Sequence, residues 1–130
     1  MKDISIIIPA YNEEKSIEIL VNKMIKATKK NKYKFKIIIV NDGSKDATLE
    51  KCKILKKKYN NVDYINLPKN LGKAYALDEG IRLTPTKWIC IIDSDLQYDP
   101  KYLNIIFNEK NINYDFINTK RESRSDNFLN

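Results

Sequence analysis

Apolar runs that alternate with helical periodicity constrain this chain more than any other feature. The runs are residues 4–8 (ISIII), 35–40 (FKIIIV), 62–67 (VDYINL), 87–92 (KWICII) and 114–118 (YDFIN). Between the first two, residues 12–30 carry Ile17, Leu20, Val21, Met24 and Ile25 at helical spacing, with Asn12 as the expected N-cap and acids in the first turn. Residues 46–59 predict a second helix, capped by Asp46, with Leu49, Cys52 and Leu55 or Lys56 marking its faces. Residues 72–83 predict a third, with Leu77 and Ile81 on one side. A fourth, over 100–109, starts with a proline in its first turn, where a missing N–H costs nothing. The order is βαβαβαβαβ. Continuous apolar strands separated by helices imply a parallel sheet covered on both faces, with right-handed crossovers. The expectation is one α/β domain over residues 1–130, ending just after a strand. The polar tail TKRESRSDNFLN is left unassigned.

Composition removes whole classes of chemistry. There is no histidine, which excludes histidine-based acid–base catalysis, catalytic triads and most zinc sites. Cys52 and Cys90 fit neither a metal spacing nor a disulfide framework, and Cys90 reads as a packed thiol. The formal net charge is +7, but 21 lysines against 3 arginines, scattered over helix faces, read as solvated charge rather than as a nucleic-acid surface. No run of about 18 apolar residues exists to span a membrane. The apolar stretch near the N-terminus stops at Pro9 and lacks the length and cleavage site of a signal peptide. A cytoplasmic chain is expected.

In open α/β sheets, ligands bind beyond the carboxyl ends of the strands. The first four exits here read PAYNEE, NDGSKD, PKNLGK and DSDLQ. Each has a plainer reading as a turn followed by a helix cap, and Gly43 suits a tight turn with positive φ. Together they form one polar rim, whereas the strand starts are mostly lysine-flanked and plain. The Asp93/Asp95 pair leaves the most apolar strand, where unpaired carboxylates would repel. With Gln97 adding an oxygen, the pair makes a hard site suited to Mg²⁺ or Mn²⁺, which also takes substrate phosphates and water. Backbone N–H groups and Lys73 at NLGK suit an anion. A cation bridging phosphates neutralises a diphosphate leaving group. Neither G-x-x-x-x-G-K-[ST] nor G-x-G-x-x-G occurs, so a P-loop and a dinucleotide cofactor are not expected.

The stretches SIIIPAYNEEKSI, IIIVNDGSKDAT, LPKNLGKAYALDEGI and WICIIDSDLQYDP resemble the successive motifs of family 2 glycosyltransferases over residues 4–118. The fourth is most similar to the branch that makes polyprenyl-phosphate sugars. The resemblance implies the GT-A fold, a Rossmann-like three-layer α/β/α sandwich with a mainly parallel sheet. It implies a UDP- or GDP-linked sugar donor, a divalent cation (Mg²⁺ or Mn²⁺) and inverting transfer. Pro9, Tyr11 and Glu13 would flank the nucleotide. Asp42 would contact the nucleobase, near Ser44 and Asp46, and Lys73 would sit by the base or diphosphate. Asp93 and Asp95 would be the catalytic pair, with Asp93 at the ribose or a water on the metal and Asp95 holding the metal with Gln97. Arg121 and Arg124 would approach an acceptor phosphate. The acceptor would be a polyprenyl phosphate or a growing cell-surface glycan, with peripheral association at the inner face of the membrane. Family members continue further, so the chain is expected to be the donor half, without the acceptor region. The alternative is a nucleotide-sugar-binding module with no turnover of its own. A receiver-like signalling domain would need acids at the first and third exits. A nucleotidyltransferase would want a glycine-rich, arginine-bearing loop after the first strand.

Overall fold

The computed structural model describes residues 3–84, 86–108, 113 and 115–117. Strands β1 (Asp3–Ala10), β2 (Lys34–Asp42), β3 (Val62–Leu67) and β4 (Trp88–Ile91) form a parallel sheet in the order β3-β2-β1-β4. The chain leaves β1 toward β2 and β3, then returns to add β4 on the other side. That reversal opens a crevice between the carboxyl ends of β1 and β4, the usual ligand position of such a sheet.

Alternation along β1 sorts its side chains between two cores. Ile4, Ile6 and Ile8 point to the face covered by α1 (Ile17–Thr28), α2 (Thr48–Lys58) and the short α4 (Leu103–Ile106). Ile7 points to the opposite face, where α3 (Lys73–Arg82) packs with Val40, Leu67 and Ala76. The result is the expected three-layer sandwich. Gly80 brings α3 close to the sheet: a Cβ there would lie 2.7 Å from Ile7 Cγ2. The buried face of α3 is therefore Ala76 and Gly80, not the expected Leu77 and Ile81. Leu77 is partly buried and Ile81 is exposed. Small residues win because they permit the closest backbone approach.

Several expected boundaries shift. The first helix starts at Ile17, not Asn12, because Asn12 adopts φ 52° and residues 13–16 form a turn. The fourth helix is a 3-10 turn over Pro100–Tyr102 followed by Leu103–Ile106, shorter than 100–109. Asp115, Phe116 and Ile117 form no strand, and the other residues of the expected fifth strand lie outside the described residues. Among the described residues the sheet has four strands, and no helix is long and apolar enough to cross a membrane. Both thiols are free, and burial pushes Cys52 up to about 12 and Cys90 up to about 11. They are packing groups, as expected.

Candidate functional site

The crevice at the strand exits is a cleft of about 390 Å³, within the range of small-molecule sites. Pro9, Ala10, Tyr11 and Glu13 enter it from β1 and Asp42 from β2. Asn70, Gly72 and Lys73 enter from the β3–α3 connection, and Asp93, Ser94 and Asp95 from β4. Seven residues singled out from sequence, Pro9, Tyr11, Glu13, Asp42, Lys73, Asp93 and Asp95, thus line one cavity.

Ser44, Asp46 and Gln97 do not line it. Ser44 and Asp46 brace the two neighbouring loops instead. The Asn12 N–H donates to Ser44 Oγ at 3.0 Å, and Asn12 Oδ1 accepts from the Lys45 N–H at 2.9 Å. The Glu13 N–H donates to Thr48 Oγ1 at 2.9 Å, and the Ala47 N–H to Glu14 Oε2 at 3.1 Å. Asp46 accepts the Glu14 N–H at 3.3 Å and the N–H and hydroxyl of Thr48, the first residue of α2; the cap position itself falls on Ala47, one residue later than expected. Partial burial alone would raise the Asp46 pKa. The hydrogen bonds from Thr48 and Glu14 outweigh that and hold its carboxyl below the usual range. The Gln97 N–H donates to Asp95 Oδ1 at 3.2 Å, while Gln97 lines a separate cavity with Lys23, Lys26 and Lys101. Arg121 and Arg124 lie outside the described residues.

The acids of the cleft differ in surroundings. Asp42 is 3% exposed, and its two oxygens accept the N–H groups of Leu71 (2.8 Å) and Gly72 (3.1 Å). Asp93 and Asp95 are exposed, and Asp93 is paired with the Lys73 ammonium. Between them the backbone tucks Ser94 inward. Leu96 follows at φ 63°, a left-handed conformation costing about 1–2 kcal/mol for such a residue. The reversal keeps Asp95 on the cleft rim. Among the described residues, no three acids, histidines or cysteines gather closely enough to hold an ion by themselves. The two rim carboxylates fit the part-set that Mg²⁺ or Mn²⁺ takes from a protein when phosphate oxygens and water complete the shell.

Sequence reasoning did not name Ala10 or Ser94 as lining groups, and it named Asn70 and Gly72 only through the backbone N–H groups of NLGK. It read Gly43 as a tight turn that lets the backbone come close to a flat ring. In the structure a Cβ on Gly43 would lie 2.2 Å from the Lys69 carbonyl carbon, so the β2 exit touches the β3–α3 loop directly.

Comparison with known proteins bears on the family and the fold. The pattern of glycosyl transferase family 2 matches residues 5–130. An uncharacterized glycosyltransferase of Synechocystis sp. is 34% identical over 122 residues, covering 94% of this chain and 38% of the relative. The undecaprenyl-phosphate 4-deoxy-4-formamido-L-arabinose transferase of Photorhabdus laumondii is 30% identical over 127 residues, covering 97% of this chain and 39% of the relative. The chain therefore spans under two fifths of the length of these curated relatives. Among solved structures, S. aureus TarS 1–349 with UDP-GlcNAc superposes with a TM-score of 0.61 at 29% identity, over 73% of this chain and 27% of that one. A mannosyltransferase from Pyrobaculum calidifontis, in complex with GDP-Man and Mn²⁺, gives 0.67 at 18% identity, over 82% and 32%. The sheet is that of GT-A glycosyltransferases, and the chain belongs to glycosyltransferase family 2.

Proposed function

We propose that this chain forms the donor-binding part of a metal-dependent, inverting glycosyltransferase whose donor is a UDP- or GDP-linked sugar and whose acceptor is a polyprenyl phosphate. The observation that carries the reading is the convergence of Tyr11, Asp42, Lys73 and the Asp93/Asp95 pair, from separate strand exits, on one cleft. Tyr11, 41% exposed beside Pro9, offers a flat face to a nucleobase or ribose. Lys73 opens α3, a helix with no acid in its first turn, so its ammonium and the positive helix end both favour a diphosphate. Asp95 and Asp93 would hold the divalent cation. Such a cation neutralises the charge that builds on the diphosphate as it departs. Attack by an acceptor oxygen on the anomeric carbon, opposite the diphosphate, forms the new C–O bond. The old C–O bond breaks, and its electron pair leaves on the diphosphate. A phosphate acceptor is already ionised at neutral pH, so it needs no general base from these residues.

The polyprenyl phosphate assignment rests on the likeness to the undecaprenyl-phosphate transferase of P. laumondii. Calorimetric titration with UDP, GDP and their sugars, with and without Mn²⁺, tests the donor reading. Binding of one nucleotide that needs the cation is the expected result; no binding of either with Mn²⁺ overturns it. A second reading, a nucleotide-sugar-binding module without turnover of its own, uses the same cleft for the same donor. Transfer assays with polyprenyl phosphate and simple sugars separate the two.

A further inference from the structure

The loop that leaves β4 has two sides. Asp93 and Asp95 line the donor cleft, while Leu96 and the residues up to Lys101 line a second, larger cavity of about 620 Å³ against α1. Leu96, at φ 63°, is the turning point between the two. The second cavity also falls within the size range of small-molecule sites. Its apolar lining is Ala27, Leu96, Tyr98 and Pro100. Pro100 is buried, and the half-buried Tyr98 ring stands against Tyr102 with 6.2 Å between centroids.

Charge at this cavity is one-sided. Lys23, Lys26 and Lys101 surround it against a single acid, Asp99. That carboxylate is already engaged: it accepts the Lys101 N–H at 3.0 Å and lies 3.6 Å from the Lys101 ammonium. The acid of α1, Glu18, pairs with Lys51 at 3.1 Å. Among the described residues, Lys23 and Lys26 form no ion pair. Lysines on a helix face ordinarily read as solvated charge. Here two of them, one helical turn apart, overhang an apolar floor. A ligand that satisfies both features carries a compact anion, which suits ammonium groups as point charges, and an apolar body that covers the floor.

We infer that this cavity is a second binding site, separate from the donor cleft, for a phosphate monoester with an apolar body. The phosphate lies among Lys23, Lys26 and Lys101, and the body rests on Leu96 and Tyr98. The site needs neither nucleotide nor divalent cation, so it stands or falls apart from the donor reading. A lipid with a phosphate headgroup and a free phosphate ester share this chemistry.

The test titrates the isotopically labelled chain, without divalent cation, with dihexanoyl phosphatidic acid, phenyl phosphate and inorganic phosphate in turn. Amide chemical shifts report where each one binds. The two esters are expected to move the amides of residues 23–27 and 96–99 more than those around Lys73. The variant Lys23→Ala/Lys26→Ala should weaken them by about 25-fold, at about fivefold for each lysine beside an anionic headgroup. Lys53→Ala/Lys57→Ala removes the same charge from the exposed face of α2 and should change affinity by less than about twofold, because distant exposed charges are screened. Inorganic phosphate should bind more weakly than the esters, since it leaves the floor bare. Equal affinity of all three would take the floor out of the site and overturn the ligand class. Shifts centred on Lys73, or equal losses in the two lysine variants, would overturn the site and leave only the general positive charge of the protein. Sedimentation with phosphatidylcholine vesicles, with and without phosphatidic acid, then separates the sources. Binding to the acidic vesicles that is lost in Lys23→Ala/Lys26→Ala assigns the site to a lipid headgroup. Esters bound in solution without vesicle binding assign it to a free phosphate ester, and either result upholds the site.

Discussion

The exits of β1 and β2 and the exit of β4 look alike as polar sequence, yet they are built in opposite ways. β1 and β2 are central strands, and the loops after them are tied together by Asn12, Glu14, Ser44, Asp46 and Thr48. β4 is a four-residue strand at the edge of the sheet among the described residues, with Ile91 49% exposed. Asp95 accepts a short-range bond from the Gln97 N–H, and Asp93 forms an ion pair with Lys73 whose side chains are 58% and 56% exposed. The first region is a wall whose polar groups satisfy backbone. The second is a rim whose carboxylates stay open to a cation. Polar residues at strand exits thus divide by what already occupies their lone pairs, and the rim holds the ones available for chemistry.

The wall should break hardest at Gly43. Gly43→Ala forces a Cβ into the backbone of residues 69 and 70 and a positive φ onto a non-glycine residue. The clash and the strain together should cost about 3 kcal/mol or more. Gly72→Ala also meets a positive φ, but nothing lies within 4 Å, so about 1–2 kcal/mol is expected. Urea unfolding of both variants measures the gap. Equal losses would mean that the loop is not pressed on the β2 exit.

Next in size is Asp46→Ala, which orphans the Glu14 N–H and removes the acceptor of the Thr48 N–H at the start of α2, at a cost of about 1–3 kcal/mol. Its depressed carboxyl pKa sets the sign of a pH effect. The stabilisation is fully present above the unfolded carboxylate pKa of about 3.9 and fades as pH falls through the lower folded value. Unfolding midpoints taken from neutral pH down into the acid range should therefore converge between wild type and Asp46→Ala. A constant gap across that range refutes the electrostatic part of the account.

How much of this was legible in the sequence follows the same division. The strands β1 to β4 announce themselves because buried parallel strands are continuous apolar runs. The exits follow from strand order, so the cleft's acids and Lys73 could be named. Which polar groups the fold uses internally could not be read. A serine, aspartate or asparagine after a strand has the same letter whether it meets a ligand or a loop 32 or 33 residues away, as Asn12 meets Ser44 and Lys45. The face of α3 was misread because Gly80 has no side chain to signal burial, and burial there comes from backbone approach. Of YDFIN, Asp115, Phe116 and Ile117 form no strand among the described residues, and Phe116 is 81% exposed.

At the rim, stability should barely respond. Asp95→Ala removes an exposed acid that accepts a short-range bond from the Gln97 N–H, so unfolding free energy should change by no more than about 0.5 kcal/mol. Metal-dependent nucleotide binding should nonetheless disappear. Equal affinity of wild type and Asp95→Ala for UDP and GDP in Mn²⁺ would remove Asp95 from the metal assignment. This variant marks the contrast with the wall most directly, since one substitution separates binding from folding.

The smallest effect sharpens the comparison further. With no cation bound, Lys73 is the positive charge on Asp93. A divalent ion arriving without nucleotide must therefore share Asp93 with that ammonium. The pair is more than half exposed on both sides, and exposed ion pairs contribute only about 0.2–1 kcal/mol. Lys73→Ala should accordingly tighten binding of Mn²⁺ alone by roughly 1.4-fold to fivefold, the same energy expressed as a ratio. The same substitution should weaken Mn²⁺-nucleotide binding, because the diphosphate loses its ammonium. Opposite signs in the two titrations are the signature of a cation that yields Asp93 to metal and turns to phosphate. If Mn²⁺ alone binds Lys73→Ala no better than wild type, Asp93 is not where metal and ammonium compete, and the rim's metal site must rest on Asp95 without it.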